Sequence, residues 1–178
     1  IPAMNRLYGT NPVFIFDPGN KTNRPVKGYQ DNALIYWDLY PQSLKSLFLE
    51  SFTTGLHSPN KRITEKQWLD EFANLMSGIV PCGYCKAEVF YDQEKTHKQV
   101  QHLCWNCQKP VAMPVSIVIE KSRVLLNKGA KMYSHHVSGD YDMDTLAGCV
   151  VQNPANPQLW GIRNDSKENW TLVKPDGS

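Results

Sequence analysis

The sequence lacks the features of a membrane-spanning or secreted protein. No apolar run approaches the roughly 18 residues needed to cross a bilayer, and the N-terminal stretch IPAMNRLYGT lacks the charged start and apolar stretch of a signal peptide. Net charge is small as well: 19 Lys and Arg stand against 17 Asp and Glu in 178 residues, and no segment is a basic block. We therefore expect a cytoplasmic protein with no membrane partner, and nucleic acid is disfavoured as a ligand.

The common catalytic motifs are also missing. The sequence has no glycine-rich phosphate loop, no nucleophile elbow and no His-Glu-x-x-His pair. Cys149 lies in the apolar stretch LAGCVV, which is typical of a small buried residue rather than a reactive thiol. We therefore predict that this chain is not an enzyme.

Four of the five cysteines form two Cys-x-x-Cys pairs, Cys82 with Cys85 and Cys104 with Cys107. Each two-residue gap lets both sulfurs of a pair reach one metal ion. The 18 residues between the pairs are enough for a hairpin that brings the second pair back to the first. Inside the pairs, Gly83 and Asn106 would suit tight turns. The spacing predicts one structural Zn²⁺ site in a zinc ribbon over residues 81–114.

Other interpretations of the cysteine segment have less support. A catalytic zinc keeps an open position, which four thiolates would fill, and a redox Cys-x-x-Cys normally occurs once, at a helix start. His97 and His102 could replace a thiolate, although four cysteines already suffice. An iron–sulfur cluster also uses four thiolates, so zinc and iron both stay open. Four aromatic residues could stack on bases or cover the small core of the ribbon: Tyr84, Phe90, Tyr91 and Trp105.

We predict an α+β fold in three parts, the first being a helical segment over residues 1–80. It begins with turn-rich loops, and two apolar stripes with helical spacing follow at residues 44–52 and 68–76. A capping box at Thr64 and Gln67 opens the second helix, and Gly78 ends it. We expect both stripes to pack in a core.

The ribbon is the second part, and the third is a β-rich segment over residues 115–178. Short apolar stretches alternate there with turns: VSIVIE, SRVLL, GCVVQ, LWGIRN and NWTLVK. Strands of this length separated by turn signals are typical of a small antiparallel β-sandwich.

Three aspartates occupy alternate positions, Asp140, Asp142 and Asp144. In an extended segment their carboxylates would point the same way. They would form a solvated acidic turn, a carboxylate donor for a metal ion on a partner protein, or a site for a partner's Lys and Arg side chains. The preceding His135 and His136 could add nitrogen ligands, but turn or strand residues are the simpler interpretation.

The stretch from Phe48 to Trp68 resembles the end of a protein-kinase C-lobe, where a Pro-x-x-Arg turn joins a helix to a final helix opened by Ser or Thr. By this resemblance Arg62 is the turn arginine, which in that family pairs with the glutamate of an Ala-Pro-Glu motif. That motif is missing here, as are the catalytic motifs of kinases. This piece could not bind ATP or transfer phosphate as kinases do.

Taken in order, RLYGTNPVFIFDP, NALIYWDLYP, FTTGLHSPNKRITEKQW, the ribbon and the β-rich tail resemble the C-terminal region of a bacterial kinase family. These kinases belong to the tellurite-resistance-linked phosphorylation cassette. The resemblance implies a docking or regulatory region, with the von Willebrand A-type protein of the cassette as partner and its metal-dependent phosphatase as a second candidate. A von Willebrand A domain often carries a metal site with an empty position, which Asp140, Asp142 or Asp144 would fill.

Two further functions stay open. The ribbon could bind nucleic acid, which a salt-dependent shift on DNA would reveal. The β-rich tail also resembles a forkhead-associated sandwich, which implies phosphopeptide binding. Ser134-His135-His136 and Asn164-Asp165 match the phosphothreonine motifs of that family poorly, and its Gly-Arg pair is missing.

Overall fold

A computed structural model describes residues 2–119, 122–127 and 129–171 of the chain. It divides into two compact units between Ala112 and Met113. The described part combines helices with small antiparallel sheets, which confirms the α+β class. No helix in this part is long and apolar enough to cross a membrane.

The first unit is mainly helical. Its helical elements are α1 (Pro2–Met4), a π-helical segment (Asn5–Thr10), α2 (Asp31–Leu39), α3 (Gln42–Phe52), α4 (Thr54–His57), a 3-10 turn (Pro59–Lys61), α5 (Glu65–Ser77) and α6 (Gln93–His97). Its strands are β1 (Ile79–Pro81) and β2 (Glu88–Phe90), which pair antiparallel with Val80 opposite Val89. Helix α2 was not predicted, because its sequence DNALIYWDL has no clear apolar stripe.

Helix α5 begins where its sequence predicts. The Thr64 hydroxyl accepts a hydrogen bond from the Gln67 backbone N–H at 3.3 Å, and Gln67 Oε1 accepts one from the Thr64 backbone N–H at 2.9 Å. These reciprocal bonds are the predicted capping box, and they satisfy two backbone donors at the helix start. Gly78 follows as the C-cap, also as predicted.

The expectation that the α5 stripe packs in a core is wrong in part. No side chain of α5 is buried, and Leu69, Phe72 and Met76 are exposed. Contact with α3 covers only one edge of the stripe, where Trp68 packs edge-on against Phe48 with ring centroids 5.1 Å apart. The stripe is wider than the neighbour it meets, so the rest of its apolar surface stays exposed.

A connected set of aromatic rings joins the loop after the π-helical segment to helices α2, α3 and α5. Its members are Phe14, Phe16, Trp37, Phe48, Phe52, Trp68 and Phe72. The closest pair is Phe16 on Trp37, stacked at 4.2 Å. In the turn before α5, Arg62 Nε donates to the Gly55 carbonyl at 2.9 Å. That bond fixes the turn locally.

The second unit contains strands β3 (Ser116–Ile119), β4 (Ser122–Leu125), β5 (Lys131–Tyr133), β6 (Leu146–Gln152) and β7 (Trp160–Asn164), with the short helix α7 (Ser134–Val137). Strands β3 and β4 form one antiparallel sheet, and β5-β6-β7 form another. Its buried apolar side chains are Val124, Leu125, Met132, Ala147 and Val150. The first four predicted strands are present, while NWTLVK runs into residues outside the described part. The sandwich arrangement stays a prediction.

Candidate metal centre

The fold brings the four paired cysteines together. The sulfurs of Cys82 and Cys107 lie 3.7 Å apart, and those of Cys85 and Cys104 lie 3.5 Å apart. All four sulfurs are within 4.8 Å of one another, and the first cysteine of each pair is fully buried. The cluster is therefore compatible with a metal site, and its members are the four cysteines of the two predicted pairs.

Both cysteine pairs sit in turns of the same construction. In the first, the Cys82 N–H donates to the Ala87 carbonyl and the Lys86 N–H donates to the Cys82 carbonyl, at 2.8 and 3.0 Å. In the second, the Cys104 N–H donates to Lys109 and the Gln108 N–H donates to Cys104, at 2.9 and 2.8 Å. We call these two turns the knuckles. Each holds its two sulfurs on one side, where they can share an ion.

The left-handed residue of each knuckle was missed by the sequence analysis. It lies directly after the second cysteine, at Lys86 with φ 64° and Gln108 with φ 57°, and not at Gly83 or Asn106. A Cβ added at Gly83 would meet nothing within 4 Å. Lys and Gln carry no signal for this conformation, which usually favours Gly or Asn. The sequence offered one indication of this conformation: both residues directly follow the second cysteine of their pair.

Backbone N–H groups in the first knuckle stabilise the ionised form of its two cysteines. The Ala87 N–H, which is the largest influence, lowers the pKa of the Cys85 thiol to about 6. The N–H groups of Cys85 and Tyr84 likewise lower the pKa of Cys82. At Cys107 the Lys109 N–H also lowers the pKa, but burial and the neighbouring thiols outweigh it and raise that pKa to about 12. Four thiolates this close repel one another, and a bound cation would offset that repulsion.

Neither histidine of the segment joins the cysteine cluster. Among the described residues, the group whose ligand atoms lie within reach of one ion is made of cysteines alone. His97 is exposed on α6. His102 is buried, and its Nε2 lies 3.1 Å from the hydroxyl of Thr96, while its ring stacks on Tyr91. His102 therefore supports the arm between the knuckles.

Three aromatic side chains of the ribbon have partners within the first unit. The Lys109 ammonium lies 4.4 Å from the centre of the Tyr84 ring, which is 63% exposed. The Trp105 indole N–H donates to the Glu88 carbonyl at 2.9 Å. Phe90 lies against Tyr40 of the segment between α2 and α3, at 5.9 Å. These contacts agree with aromatic cover for a small core.

The three aspartates do not lie in an extended segment, so the condition for a common direction of their carboxylates is not met, and the segment forms an acidic turn. They occupy successive turns after α7, because the side chains bond to the backbone just ahead. Asp140 Oδ1 accepts from the Asp142 N–H at 3.0 Å, and Asp142 Oδ1 accepts from the N–H groups of Asp144 and Thr145 at 3.0 and 2.9 Å. We call residues 138–145 the acidic loop.

Two of the three carboxylates are thus committed to the loop. Asp140 Oδ2 also accepts from the hydroxyls of Ser138 and Ser134, at 2.6 and 2.7 Å. These hydroxyls, Ser138 first, lower the pKa of Asp140, and hydrogen bonds from Thr145 lower that of Asp142. The Asp144 carboxylate is exposed and makes no hydrogen bond or ion pair within the described residues.

His135 and His136 are buried in α7, which the sequence analysis did not predict. Their rings lie 3.8 Å apart, and His136 Nδ1 accepts from the Tyr133 N–H at 2.9 Å. Burial, and then the neighbouring His135, lowers the pKa of His136 to about 4. His136 is therefore neutral at pH 7 beside the acidic loop, and within the described residues the two histidines form no metal cluster.

Comparison with known proteins adds no family to this picture. No protein-family model matches the chain, and neither a curated protein nor a solved structure matches it. The resemblance to the kinase family therefore stays a prediction, and the geometry of the cysteine cluster is the best guide to function.

Proposed function

We propose that this chain is a non-catalytic docking region built on a structural zinc ribbon. The observation that carries the proposal is the size of the sulfur cluster, with facing sulfurs 3.5 and 3.7 Å apart. A tetrahedron with Zn–S bonds of about 2.3 Å has edges of about 3.8 Å. An iron–sulfur cluster holds several irons between its thiolates and needs a wider cage. A single ion fits, and Zn²⁺ is the usual occupant of two Cys-x-x-Cys pairs.

The ligand set favours a structural role for that ion. Four thiolates complete a tetrahedral shell, whereas a catalytic zinc leaves one position for water or substrate. The described residues offer no additional His or carboxylate ligand within reach of the same ion. The chain would then act by binding a partner, and the ion would hold the two knuckles in place.

Protein docking is favoured over nucleic-acid binding. The Tyr84 ring already faces the Lys109 ammonium, and the Trp105 indole is already bonded to the Glu88 carbonyl. Stacking on bases would have to displace the first of these contacts. The arm between the knuckles carries Lys and acidic residues in similar number, so it offers few unopposed cations for phosphates.

The partner follows from the kinase resemblance. A von Willebrand A-type protein would supply a metal site with an open position, and an exposed carboxylate of the acidic loop would fill it. Asp144 is the residue we assign to this contact, because Asp140 and Asp142 serve the loop itself. The cassette phosphatase is the second candidate partner.

The test is a calorimetric titration of the zinc-loaded chain with the von Willebrand A-type protein, with and without Mg²⁺. Mg²⁺ is omitted rather than chelated, because EDTA would also remove the structural ion. Asp144→Asn should abolish the Mg²⁺-dependent binding. Asp140→Asn and Asp142→Asn should weaken it only as far as they loosen the loop.

Two results would reject the proposal. The first is unchanged affinity of all three Asn variants in the presence of Mg²⁺. The second is no binding to either cassette protein together with a salt-dependent shift on DNA, which would assign the ribbon to nucleic acid. Asp144→Glu is the matched control, because it keeps a carboxylate at the same position.

A further inference from the structure

A small cavity lies in the first unit between the end of α2 and the ribbon. Its volume is about 80 Å³, and its walls include Asp38, Glu88, Phe90, Asp92, Lys95 and Trp105. Water has a share of about 30 Å³ in the liquid, so the cavity holds about two to three water molecules. That is room for the end of one side chain, well below the roughly 300 Å³ or more of a cofactor pocket.

The charge of the cavity is negative. Asp38 and Glu88 have no side-chain hydrogen bond or ion pair within the described residues, and both are exposed at the rim. Asp92 caps α6 through the Lys95 N–H, and the Lys95 ammonium lies 3.9 Å from its other oxygen. Three carboxylates thus face one lysine, which leaves two negative charges without a counterpart.

The cavity also has an aromatic and apolar wall. The Trp105 indole is fixed by its N–H bond to the Glu88 carbonyl, and it is 39% exposed. Leu103 is half exposed beside it, and Phe90 forms a further part of the wall. His102, which also borders the cavity, is held by Thr96. A fixed indole next to unpaired carboxylates is a suitable environment for a flat cation.

We infer that this cavity receives the guanidinium of an arginine from a partner protein. Asp38 and Glu88 would accept its N–H groups, and its plane would lie along the Trp105 ring. Arginine fits better than lysine because it offers five donors and stacks on aromatic rings. An anionic ligand would be repelled by the two carboxylates, and a neutral one would gain less from them than a cation does.

This inference rests on the proposed docking function only in requiring that a partner supply the arginine. The ligands and variants that test it differ from those that test the aspartate contact. The probe is the capped tripeptide Gly-Arg-Gly, added to the zinc-loaded full chain. Binding is followed by NMR at the indole N–H signal of Trp105, which Trp105→Phe assigns among the five tryptophans.

The matched controls are two peptides and one variant. Gly-citrulline-Gly has nearly the same shape as the probe but no charge. Gly-Lys-Gly carries the positive charge but lacks the flat guanidinium group. Glu94→Gln removes an exposed carboxylate that pairs with Lys98 and is not part of the cavity wall. These controls separate a built site from general attraction to an acidic surface.

The arginine peptide should shift the Trp105 signal saturably and bind more tightly than the lysine peptide, while the citrulline peptide should have no effect. Asp38→Asn and Glu88→Gln should each weaken arginine binding about three- to fivefold, and Glu94→Gln should not. The inference is overturned by a shift that does not saturate, by equal binding of the citrulline peptide, or by Asp38→Asn and Glu88→Gln variants that bind like the parent chain. Failure here leaves the von Willebrand titration unaffected, so the two proposals stand or fall separately.

Discussion

Lys86 and Gln108 occupy equivalent positions in the two knuckles and share a left-handed backbone, with φ of 64° and 57°. Each follows the second cysteine of its pair, and each donates its N–H to the carbonyl of the first cysteine. The two knuckles are therefore copies of one local structure. We expect the placement of the four sulfurs to depend on these two residues more than on the glycine inside the first pair.

Substitutions at Lys86 should change metal affinity through the backbone. A β-branched residue is strongly disfavoured in the left-handed region, so Lys86→Val should weaken Zn²⁺ binding about tenfold, as expected for roughly 1–2 kcal/mol of strain. Lys86→Gly should retain full affinity, because glycine adopts this φ without strain. Competition with a chromophoric chelator gives both affinities.

Gly83→Ala is the control for this series. Its Cβ would meet nothing within 4 Å, and φ at this position is not left-handed, so affinity should stay unchanged. Loss of affinity in Gly83→Ala, with Lys86→Val unaffected, would show that the turn is made at the glycine after all.

Local rules predicted some elements well. The cysteine spacing predicted which four sulfurs lie close together, since two short gaps and a long arm constrain where they can meet. The start of α5 followed from Thr64 and Gln67, because a capping box involves neighbours along the chain. The left-handed residues of the knuckles were not predictable from residue type.

Contacts that periodicity does not encode decided the features that were missed. Alternating aspartates would share a direction in an extended segment, but Asp140 and Asp142 bond to the backbone two residues ahead and fold the segment into turns. The α5 stripe predicted burial, but α3 covers only the edge near Trp68. In both cases the periodicity predicted which residues could share a face. It did not predict what those residues would contact.

Gly148, in strand β6 of the second unit, should tolerate substitution poorly. A Cβ there would lie 2.6 Å from the Arg163 carbonyl oxygen and 2.7 Å from Trp170 Cη2. The carbonyl belongs to β7, so it can move only if the β6–β7 pairing opens. Gly148→Ala should lower the free energy of unfolding by about 2–3 kcal/mol, measured by urea denaturation.

Gly161 is the matched control, in the neighbouring strand. Its added Cβ would be 4.0 Å from Val151 Cγ2, which is ordinary contact. Gly161→Ala should change stability by less than about 1 kcal/mol. Equal effects of the two substitutions would mean that the register of β6 and β7 is not as described.

The second unit should lose stability in weak acid because of His136. Its pKa is lowered from 6.5 to about 4 in the folded chain, so the unfolded chain takes up the proton first as pH falls through this interval. The free energy of unfolding should therefore decrease by up to about 3 kcal/mol between these values. The lowered pKa values of Asp140 and Asp142 act only in stronger acid, below their usual 3.8.

Because acid also releases metal from thiolates, this unfolding is best followed by NMR at the buried Met132 methyl in the second unit. His136→Asn keeps an acceptor for the Tyr133 N–H and cannot gain a charge. Its stability should be nearly independent of pH over the same interval. A parent-like pH dependence in this variant would assign the effect to another group.

Thr64 should contribute to the stability of the first unit through its cap on α5. Thr64→Ala removes the hydroxyl that accepts the Gln67 N–H, so it should cost about 1 kcal/mol in thermal or urea unfolding. Thr54→Ala is the control, because the exposed Thr54 side chain makes no hydrogen bond within the described residues. No difference between the two variants would argue against the capping box.

The most direct test of a closed four-thiolate site is titration of the reduced, metal-free chain with Co²⁺, followed by Zn²⁺. We expect one Co²⁺ per chain with the spectrum of a tetrahedral four-thiolate complex, unchanged in Cys149→Ser, and full displacement by one Zn²⁺. Metal binding should also restore ordered NMR signals of the ribbon. A six-coordinate cobalt spectrum, fewer than four thiolate ligands, or a stoichiometry other than one would contradict it.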